Sequence, residues 1–458
     1  MSDEGEEADG ASADADETGV VTVFLRNDSD VLLCRRSDAV GSYSGQWGAV
    51  AGHAEGDPGR LAREEISEET GIDPDDCAFV RRGPSFPVED PDHGTWRVTP
   101  FLFDCPTREV TTNRETTEHE WVQPPAILDR ETVPRLWESY RRVAPTVADV
   151  REDREHGSEY VSRRAVEVLR DAAAALDAGV DAPVDLPDWA DWSRLATLAD
   201  ALLVARESMA VVGNRVDRAM WLAAGEHEHG WDGSYGTPVR SAGAVRQTAE
   251  HVLANLEPAQ RRLVGDARRA DWGDGVVATL SRSGTVRSVL EAVAARVVVA
   301  ESRPGGEGRA VARALADALI APVTLCADAG VAHALDACDA DAVLVGADTV
   351  LVDGSVVNKV GTRTLASAAA AGDVPVYVAT HTDKVAPAGH ETDLEPRDAG
   401  ELLGDDEAPA GLRVENPTFD VTPPALVDGY CTEAGFLDAG AIRRVAERAA
   451  EHADWPRP

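Results

Sequence analysis

Residues 276–300 read VVATLSRSGTVRSVLEAVAARVVVA, and their pattern predicts the fold of the carboxyl-terminal half. The runs VVATL and VVVA are apolar and rich in valine, which is typical of buried strands, while the segment between them has helical spacing. The alternation continues in GRAVARALADAL, VTLCA, AVLVGAD and VPVYVAT. Strands and helices that alternate in this way predict an α/β domain over residues 271–455, with a parallel sheet wrapped by helices.

Polar motifs follow several of these strands, and ligands of such sheets bind at the carboxyl ends of the strands. In VVVAESRPGGEGRAVA, residues 297–312, Arg303 can pair with a phosphate and the glycines lead into a helix N-terminus. In VLVGADTVLVDGSVVNKVGT, residues 343–362, Asp348 follows a strand and Asn358 precedes Lys359. A third motif, NPTFDVTPPALVDGYCTEAG, lies near the carboxyl terminus. These motifs predict a phosphate site.

Three further regions precede this sheet. Residues 145–270 have helical spacing and are expected to form a helical subdomain. Residues 19–130 contain short β-rich runs (VVTVFLR, VLLCRRS, WRVTPFLFDC) and one acidic amphipathic stretch, which predict a small domain of strands and helices. Residues 1–18 are densely acidic without apolar periodicity, and we expect a disordered tail.

The strongest local chemistry lies in WGAVAGHAEGDPGRLAREEISEETGI, residues 47–72. Glu65, Glu68 and Glu69 are spaced so that a helix places the three carboxylates on one face. Like charges at that spacing repel one another unless a hard cation such as Mg²⁺ or Mn²⁺ lies among them. The glycine-rich loop before the helix lets the backbone, including Gly52, approach the cation.

This segment resembles the Nudix box. EEISEETGI reproduces the glutamates of that family, and WGAVAGHAE is similar to its entry loop. The resemblance implies an α/β/α sandwich and a hydrolase of a nucleoside diphosphate linked to a second group, with a cation held by Glu65, Glu68, Glu69 and Gly52. It also implies a further glutamate from a later loop, either Glu118 or Glu120. The box departs from the family in its shorter loop, in Ala51 for a glycine and in Glu64 where arginine is usual.

The carboxyl-terminal motifs resemble the family of the α, β and δ subunits of initiation factor 2B, which includes ribose-1,5-bisphosphate and methylthioribose-1-phosphate isomerases. The resemblance covers residues 145–455 and is most specific at GADTVLVDGSVVNKVGT. It implies a helical subdomain, a Rossmann-like sheet and a homo-oligomer assembled through this region. It also implies that Asp348 is the catalytic acid–base residue and that Arg303, Asn358, Lys359 and Ser281 bind phosphate.

Three departures from the isomerases favour ligand binding over isomerisation. Ser281 occupies the place of a catalytic cysteine, and a hydroxyl is a far weaker acid than a thiol. The segment SMAVVGNRVDRAM, residues 208–220, is similar to the non-catalytic initiation-factor members. Glu307 places a negative charge in the phosphate loop.

Acidic residues outnumber basic ones by 82 to 44, and Lys359 and Lys384 are the only lysines. An acidic surface with so few lysines disfavours direct nucleic-acid binding. The composition is similar to that of proteins from halophilic archaea, in which concentrated salt screens repulsion among carboxylates.

The six cysteines are scattered without a CxxC pair, so we expect reduced cysteines and a cytoplasmic location. No apolar run approaches the length of a membrane span. The amino terminus is acidic where a signal peptide would need positive charge. We therefore expect no membrane contact.

Two hypotheses about function result. In the first, the amino-terminal domain is a Mg²⁺- or Mn²⁺-dependent hydrolase of a nucleoside diphosphate derivative, and the carboxyl-terminal region binds a nucleotide or sugar phosphate. In the alternative, the carboxyl-terminal region is an initiation factor 2B-like regulatory subunit, or an isomerase of the ribose-1,5-bisphosphate type, and the Nudix fold is a binding module.

Overall fold

A computed structural model describes residues 17–54, 56–225, 239–272, 275–294, 296–318, 322–404, 409 and 411–457. Residues 1–16 of the expected disordered tail, and Glu55 of the glycine-rich loop, lie outside the described residues. The chain divides into two compact units, Met1–Pro145 with Asp171–Asp185 and Thr146–Arg170 with Leu186–Pro458. No helix in the described ranges combines the length and the apolar character needed to cross a membrane.

The first unit is built on an eight-stranded mixed sheet. Its strands are β1 Glu17–Asn27, β2 Asp30–Arg36, β3 Trp47–Gly48, β4 Val50–His53, β5 Ala78–Arg82, β6 Phe86–Asp90, β7 Gly94–Asp104 and β8 Thr116–Val122. The order is β3-β2-β1-β7-β5, and β4, β6 and β8 pair with β1, β7 and β2 respectively. β1 and β7 are parallel, with Glu17 opposite Thr95 and Arg26 opposite Asp104, whereas the other pairs are antiparallel.

Helix α1 (Pro58–Thr70) begins and ends where its sequence directs. The Asp57 side chain accepts a hydrogen bond from the amide of Gly59, and Pro58 needs no amide partner in the first turn. Gly71 closes the helix with a φ of +68°, a conformation that glycine adopts without steric cost. The acidic stretch predicted to be helical is therefore confirmed as α1.

The two faces of this sheet are covered by different helices. Ala62 and Ile66 of α1 pack in one core cluster with Val21 and Val23 of β1. Helix α2 (Leu136–Arg141) packs in a second cluster with Phe24 of β1. The residues on either side of Phe24, a valine and a leucine, belong to the first cluster. Because successive side chains of β1 point to opposite faces of the sheet, the strand contributes to both core clusters. The predicted α/β/α sandwich is confirmed.

The second unit begins with a helical region. Its helices are α3 Val147–Glu152, α4 Ser158–Ala178, α5 Asp191–Ala205, α6 Ala210–Ala224, α7 Ala242–Ala254 and α8 Leu256–Ala267. Thr146 starts α3 with a capping box, in which its side chain and that of Asp149 each bind the other residue's backbone amide. The last residues of α4 belong to the first unit.

The helical region is followed by a seven-stranded sheet and a small three-stranded sheet, whose strands alternate along the chain with some of those of the large sheet. The strands are β9 Val276–Leu280, β10 Arg296–Ala300, β11 Val323–Cys326, β12 Ala342–Val345, β13 Thr349–Val350, β14 Val356–Lys359, β15 Val376–Ala379, β16 Phe419–Thr422, β17 Gly429–Thr432 and β18 Gly435–Leu437. The large sheet has the order β11-β10-β9-β12-β15-β17-β18 and is parallel except for β18. The small sheet has the order β13-β14-β16.

Helices cover both faces of the large sheet. They are α9 Gly284–Val293, α10 Gly308–Ala318, α11 Val331–Ala337, α12 Thr362–Ala371 and α14 Ala439–His452, whereas the short helix α13 Gly400–Leu403 has no buried residue. Leu290 of α9 and Leu315 of α10 pack in one cluster with Val277 of β9, while Leu365 of α12 packs with Ala278 on the opposite face. The predicted parallel sheet, wrapped by helices and preceded by a helical region, is confirmed.

The strand order creates a switch point at the centre of this sheet. β9 lies between β10 and β12, so the chain first leaves β9 in one direction and later returns to its other side. Crevices at such points, beyond the carboxyl ends of the strands, are where ligands of α/β sheets bind. Ser281 directly follows β9 and Asp348 lies shortly after β12.

Candidate functional site

Two of the α1 glutamates lie against strand β4. The amide of Ala51 donates a hydrogen bond to Glu69 Oε1 over 3.1 Å. At Gly52, a Cβ atom would lie 1.7 Å from Glu65 Oε1, so only glycine lets the Glu65 carboxylate approach the strand this closely. The predicted residues Gly52, Glu65 and Glu69 are therefore brought together, whereas Glu68 is exposed one turn along the same helix.

This carboxylate cluster is only partly compensated by positive charge, since Arg36 opposes the raised pKa of Glu69 without overcoming it. Burial, followed by repulsion from neighbours that include Glu68 and Glu115, raises the pKa of Glu65 to about 7. Burial is also the largest cause that raises the pKa of Glu69 to about 7, and the Ala51 amide only partly opposes it. Within the described residues, no ion pair includes Glu65, Glu68 or Glu69.

The donor set suits a hard divalent cation, because it consists of carboxylate oxygens with a glycine backbone beside them. In the described ranges, however, no group of three or more histidine, cysteine, aspartate or glutamate side chains is already arranged to hold a metal ion. The fit rests instead on the glycine cradle at Gly52 and on the repulsion between Glu65 and Glu69, which a cation would remove.

The glutamates expected from a later loop have arginine partners in the structure. Glu118 is opposite Arg35 in the β2–β8 pairing and forms an exposed ion pair with it at 3.4 Å. Glu120 pairs with Arg130. Glu115, in the turn before β8, contributes repulsion to both Glu65 and Glu69. Sequence reasoning did not consider Glu115, although it lies in the same acidic run, RETTEHE.

The phosphate loop of the second unit is fixed by a buried serine and an aspartate. Ser302 is the second residue after β10, and its hydroxyl accepts a hydrogen bond from the Ser281 amide over 2.6 Å. Asp328 accepts the amides of Ser302 and Arg303 over 2.8 and 2.6 Å. The Arg303 side chain itself is exposed. Asp328 was not predicted, yet its place two residues after the end of β11 is a signal that strand-end reasoning could have used.

The loop then turns tightly into helix α10. A Cβ atom on Gly308 would lie 2.0 Å from the carbonyl oxygen of Ala300, so the helix can begin this close to the strand only with glycine. Arg309 of the same helix pairs with Glu301. The helix N-terminus consequently lies beside the end of β10, as the motif predicted.

Asp348 lies where the helical region meets the sheet. Its amide donates to the Val357 carbonyl over 2.9 Å, and its Oδ1 accepts a hydrogen bond from Ser158 Oγ over 3.1 Å. Ser158 is the first residue of α4. The carboxylate is thus held in place from both the small sheet and the helical region.

Asn358 and Lys359 lie in β14 and are both buried. Asn358 Nδ2 donates to Thr362 Oγ1 over 3.0 Å. Lys359 Nζ forms an ion pair with Glu307 Oε1 at 2.8 Å. The structure therefore brings Lys359 to the phosphate loop that also carries Arg303.

A buried lysine that sequence reasoning missed lies beside Asp348. Lys384 Nζ donates to the carbonyl oxygen of Ala347 over 2.7 Å. Burial lowers the pKa of Lys384, against the opposing effect of the Asp348 and Glu159 carboxylates. Its rarity was a signal, since the chain has only one other lysine.

The segment 208–220 contributes a buried arginine to the same region. Arg215 of α6 pairs with Glu159 at 2.7 Å and Asp383 at 3.1 Å, and it donates to Ser162 over 2.8 Å. Although burial opposes it, Arg215 holds the pKa of Glu159 well below its usual value. Asn214 Nδ2 donates to the Asp383 carbonyl over 2.6 Å. These side chains fix the turn that carries Lys384.

A final polar cluster lies at the ends of β15 and β17. His381 Nδ1 is 3.4 Å from Glu433 Oε2, and the Thr382 amide donates to the same carboxylate over 3.1 Å. Although burial alone would raise it, these hydrogen bonds lower the pKa of Glu433 to about 2. His381 also contacts Gln260 over 2.9 Å.

Comparison with known proteins identifies both parts of the chain. Residues 154–439 match the model of the initiation factor 2 subunit family, and residues 17–144 match that of the NUDIX domain. Both resemblances expected from the sequence are thereby confirmed.

Several individual proteins are also similar. Ribose 1,5-bisphosphate isomerase from Haloterrigena turkmenica is 40% identical over 248 residues, or 50% of this chain and 74% of that protein. The protein of the same name from Haloferax volcanii is 41% identical over 211 residues, or 43% of this chain and 64% of that protein. The solved structure of translation initiation factor eIF-2B from Pyrococcus horikoshii aligns at 24% identity and a TM-score of 0.49, covering 64% of this chain and 94% of that one. Since the first family model spans more than half of the residues, the chain belongs to the initiation factor 2 subunit family and carries a NUDIX domain ahead of that family's domain.

Proposed function

We propose that the NUDIX domain hydrolyses a nucleoside diphosphate derivative with Mg²⁺ or Mn²⁺, and that the initiation factor 2 family domain binds a phosphorylated sugar or nucleotide. The observation that carries the first part is the cluster of Glu65 and Glu69, which lies against Ala51 and Gly52 and forms no ion pair with any described residue. We also propose that residues 19–130 form the hydrolase domain, residues 145–270 the helical subdomain and residues 271–455 the phosphate-binding domain.

The chain's own contribution to hydrolysis is to hold its carboxylates in place. Glu65, Glu68 and Glu69 would bind the cation, and the Ala51 amide orients Glu69 towards the loop. A bound divalent cation would polarise a pyrophosphate and lower the pKa of an attacking water. Among the later glutamates, Glu115 has the best support as a further ligand, because Glu118 and Glu120 already have arginine partners.

The test is a product screen. The purified chain is incubated with nucleoside diphosphate derivatives such as ADP-ribose, in molar KCl with Mg²⁺, and products are followed by mass spectrometry. We expect cleavage at the pyrophosphate and none after chelation of the metal. A chain that leaves every such substrate intact would contradict a hydrolase and favour the NUDIX fold as a binding module.

The second domain has the donors for a phosphorylated ligand. Arg303 is exposed on the phosphate loop, and Lys359 lies against the same loop. Asp348 supplies a carboxylate held by Ser158. The expected partner in proton transfer is Ser281, whose hydroxyl is too weak an acid to replace a thiol without special activation. These features support binding without isomerisation.

Isomerisation of ribose 1,5-bisphosphate is the second candidate function, favoured by relatives that are named ribose 1,5-bisphosphate isomerase. Proton NMR of ribose 1,5-bisphosphate incubated with the chain in molar KCl separates the candidates. We expect binding without conversion, and about tenfold weaker binding for Arg303→Ala, since a charge-assisted contact is lost. Conversion to the ketose at an enzymatic rate would instead support the isomerase.

We also propose that the chain forms a homo-oligomer through this domain. β11 is an edge strand of the large sheet and exposes Leu325, which is 49% accessible. Light scattering in molar KCl should give a multiple of the 48.6 kDa chain mass, and a monomer at micromolar concentration would contradict this part.

A further inference from the structure

The phosphate loop contains an ion pair that is already formed within the protein. Lys359 Nζ lies 2.8 Å from Glu307 Oε1, and Lys359 is only 5% exposed. The Glu307 side chain folds back over the loop, since a Cβ atom at Gly305 would lie 2.6 Å from Glu307 Oε1. The buried lysine at the end of β14 is therefore neutralised before any ligand binds.

The second oxygen of the same carboxylate has no partner. Glu307 Oε2 is buried, and no described residue donates a hydrogen bond to it. Buried carboxylate oxygens are normally satisfied, because an unpaired one loses its water without compensation. This oxygen is thus an acceptor that a ligand can use through a hydroxyl or an amine.

The surrounding charges are balanced as well. The charges of Arg397 and Glu307 attract each other, as do those of Glu401 and Lys359. Arg397 and Glu401 also form an ion pair at 2.7 Å. Two cations thus face two anions at this end of the site. In contrast, Arg303 forms no ion pair with any described residue. The phosphate loop therefore offers one unpaired cation, Arg303, and one unpartnered acceptor, Glu307 Oε2.

We infer that Glu307 selects a ligand with a single phosphate, bound at Arg303, and with a hydroxyl donor that meets Glu307 Oε2. The ligand class is a sugar monophosphate or a nucleotide with free ribose hydroxyls, and a sugar bisphosphate is disfavoured. A second phosphate would lie beside the Glu307 carboxylate, and like charges in a poorly hydrated site repel strongly. This inference rests on the proposed binding function and specifies its ligand.

Calorimetry with two probes tests it, namely ribose 5-phosphate and ribose 1,5-bisphosphate in molar KCl. The wild-type chain should bind the monophosphate at least about tenfold more tightly, since partly buried charges are screened little by salt. Glu307→Gln keeps the side-chain shape and removes the charge, so it should shift the ratio of the two affinities at least about tenfold towards the bisphosphate.

A matched control is Glu291→Gln, which removes an exposed carboxylate of α9 that pairs with Arg287. It should leave the ratio unchanged. The wild-type ratio decides the question by itself if Glu307→Gln does not fold. Equal affinities in the wild type, or a ratio that Glu307→Gln does not move, would overturn the inference and leave the binding function standing. Absence of binding by both probes would overturn the inference and the proposed binding function together.

Discussion

The pKa values of acidic side chains are shifted in opposite directions in the two candidate sites. In the NUDIX domain, Glu65 and Glu69 are crowded together and burial raises the pKa of each to about 7. In the initiation factor 2 family domain, neighbours lower the pKa of Glu433 to about 2, and Arg215 keeps that of Glu159 low. The same residue type is thus destabilised as an anion in one region and stabilised in the other.

The difference indicates what each region lacks. The NUDIX carboxylates form no ion pair with any described residue, and Arg36 lowers the pKa of Glu69 only in part, so a cation from outside would balance their charge. The second region carries its own cations, Arg215, Lys359 and Lys384, and is charge-balanced before a ligand arrives. This difference agrees with the proposal that the first site binds a cation and the second binds an anion selectively.

Breaking the internal balance of the second region should have the largest effect. Arg215→Met keeps side-chain volume but leaves Glu159 and Asp383 without their shared partner. Removal of one member of a buried ion pair costs about 3 to 5 kcal/mol, and we expect the lower end because Glu159 keeps 41% of its side chain exposed. Urea unfolding measures the loss.

Arg261→Met is the matched control for this change. It removes an arginine whose pair with Glu257 is exposed, with 63% and 64% of the two side chains accessible. Such pairs contribute at most about 1 kcal/mol. Equal losses of stability in the two variants would contradict the distinction between buried and exposed pairs.

The converse change in the NUDIX domain should abolish function without loss of stability. Glu68→Gln with Glu69→Gln removes two carboxylates from the cluster, so divalent-dependent hydrolysis should fall by more than about a hundredfold. The melting temperature in metal-free buffer should not decrease, because two repelling charges are gone. Glu64→Gln, on the same helix but paired with Arg60, should keep its activity. Wild-type rates in the double variant would refute the metal assignment.

The pH dependence of stability tests whether the ionised Glu433 carboxylate stabilises the initiation factor 2 family domain. The folded-state pKa of Glu433 lies at about 2, below its usual value of 4.5, so its stabilising effect is present above pH 4.5 and is lost as the pH falls towards 2. At pH 7 we expect Glu433→Gln to be less stable than the wild type by about 2 kcal/mol, since the carboxylate is largely buried.

The comparison is made by urea unfolding at pH 7 and pH 3. The groups that face Glu433 are His381 and Thr382, and His381 in turn contacts Gln260. The gap between variant and wild type should narrow at pH 3. A gap that is constant over this range would show that packing, and not the ionised carboxylate, is responsible.

The smallest expected effect distinguishes two glutamates of the later loop. Glu115→Gln should reduce hydrolysis about tenfold if this carboxylate supports the cation, by analogy with other side chains that support metal ligands. Glu118→Gln should change the rate less than about twofold, because Glu118 is engaged by Arg35 on the exposed edge. The reverse order of effects in a steady-state assay would restore Glu118 as the ligand.

Features that depend only on the spacing of neighbouring residues could be predicted from the sequence. The spacing of Glu65, Glu68 and Glu69 sufficed to place them on α1, and the valine-rich runs sufficed to predict a parallel sheet. The surroundings of the later glutamates could not be predicted, because they depend on strand register: β8 places Glu118 opposite Arg35 and leaves Glu115 in the turn before the strand. Only the pairing of distant strands determines which of these carboxylates approaches the helix.

The buried cations of the second region were missed for a related reason. Arg215 and Glu159 are separated in sequence by more than fifty residues, and Asp383 by a far longer stretch, so no local motif joins them. Lys384 follows Asp383 directly, but only the fold brings it to the strand end that carries Asp348. Long-range ion pairs of this kind need the tertiary structure before they can be recognised.

The burial of both lysines has a practical consequence for chemical labelling. Lys359 and Lys384 are 5% and 9% exposed, so in the native fold neither side-chain amine is available to an acylating reagent. Acylation of either amine requires the surrounding structure to open first. The rate at which an N-hydroxysuccinimide ester modifies each lysine, read by peptide mapping, therefore measures how often the phosphate loop and the Asp348 strand end open in solution.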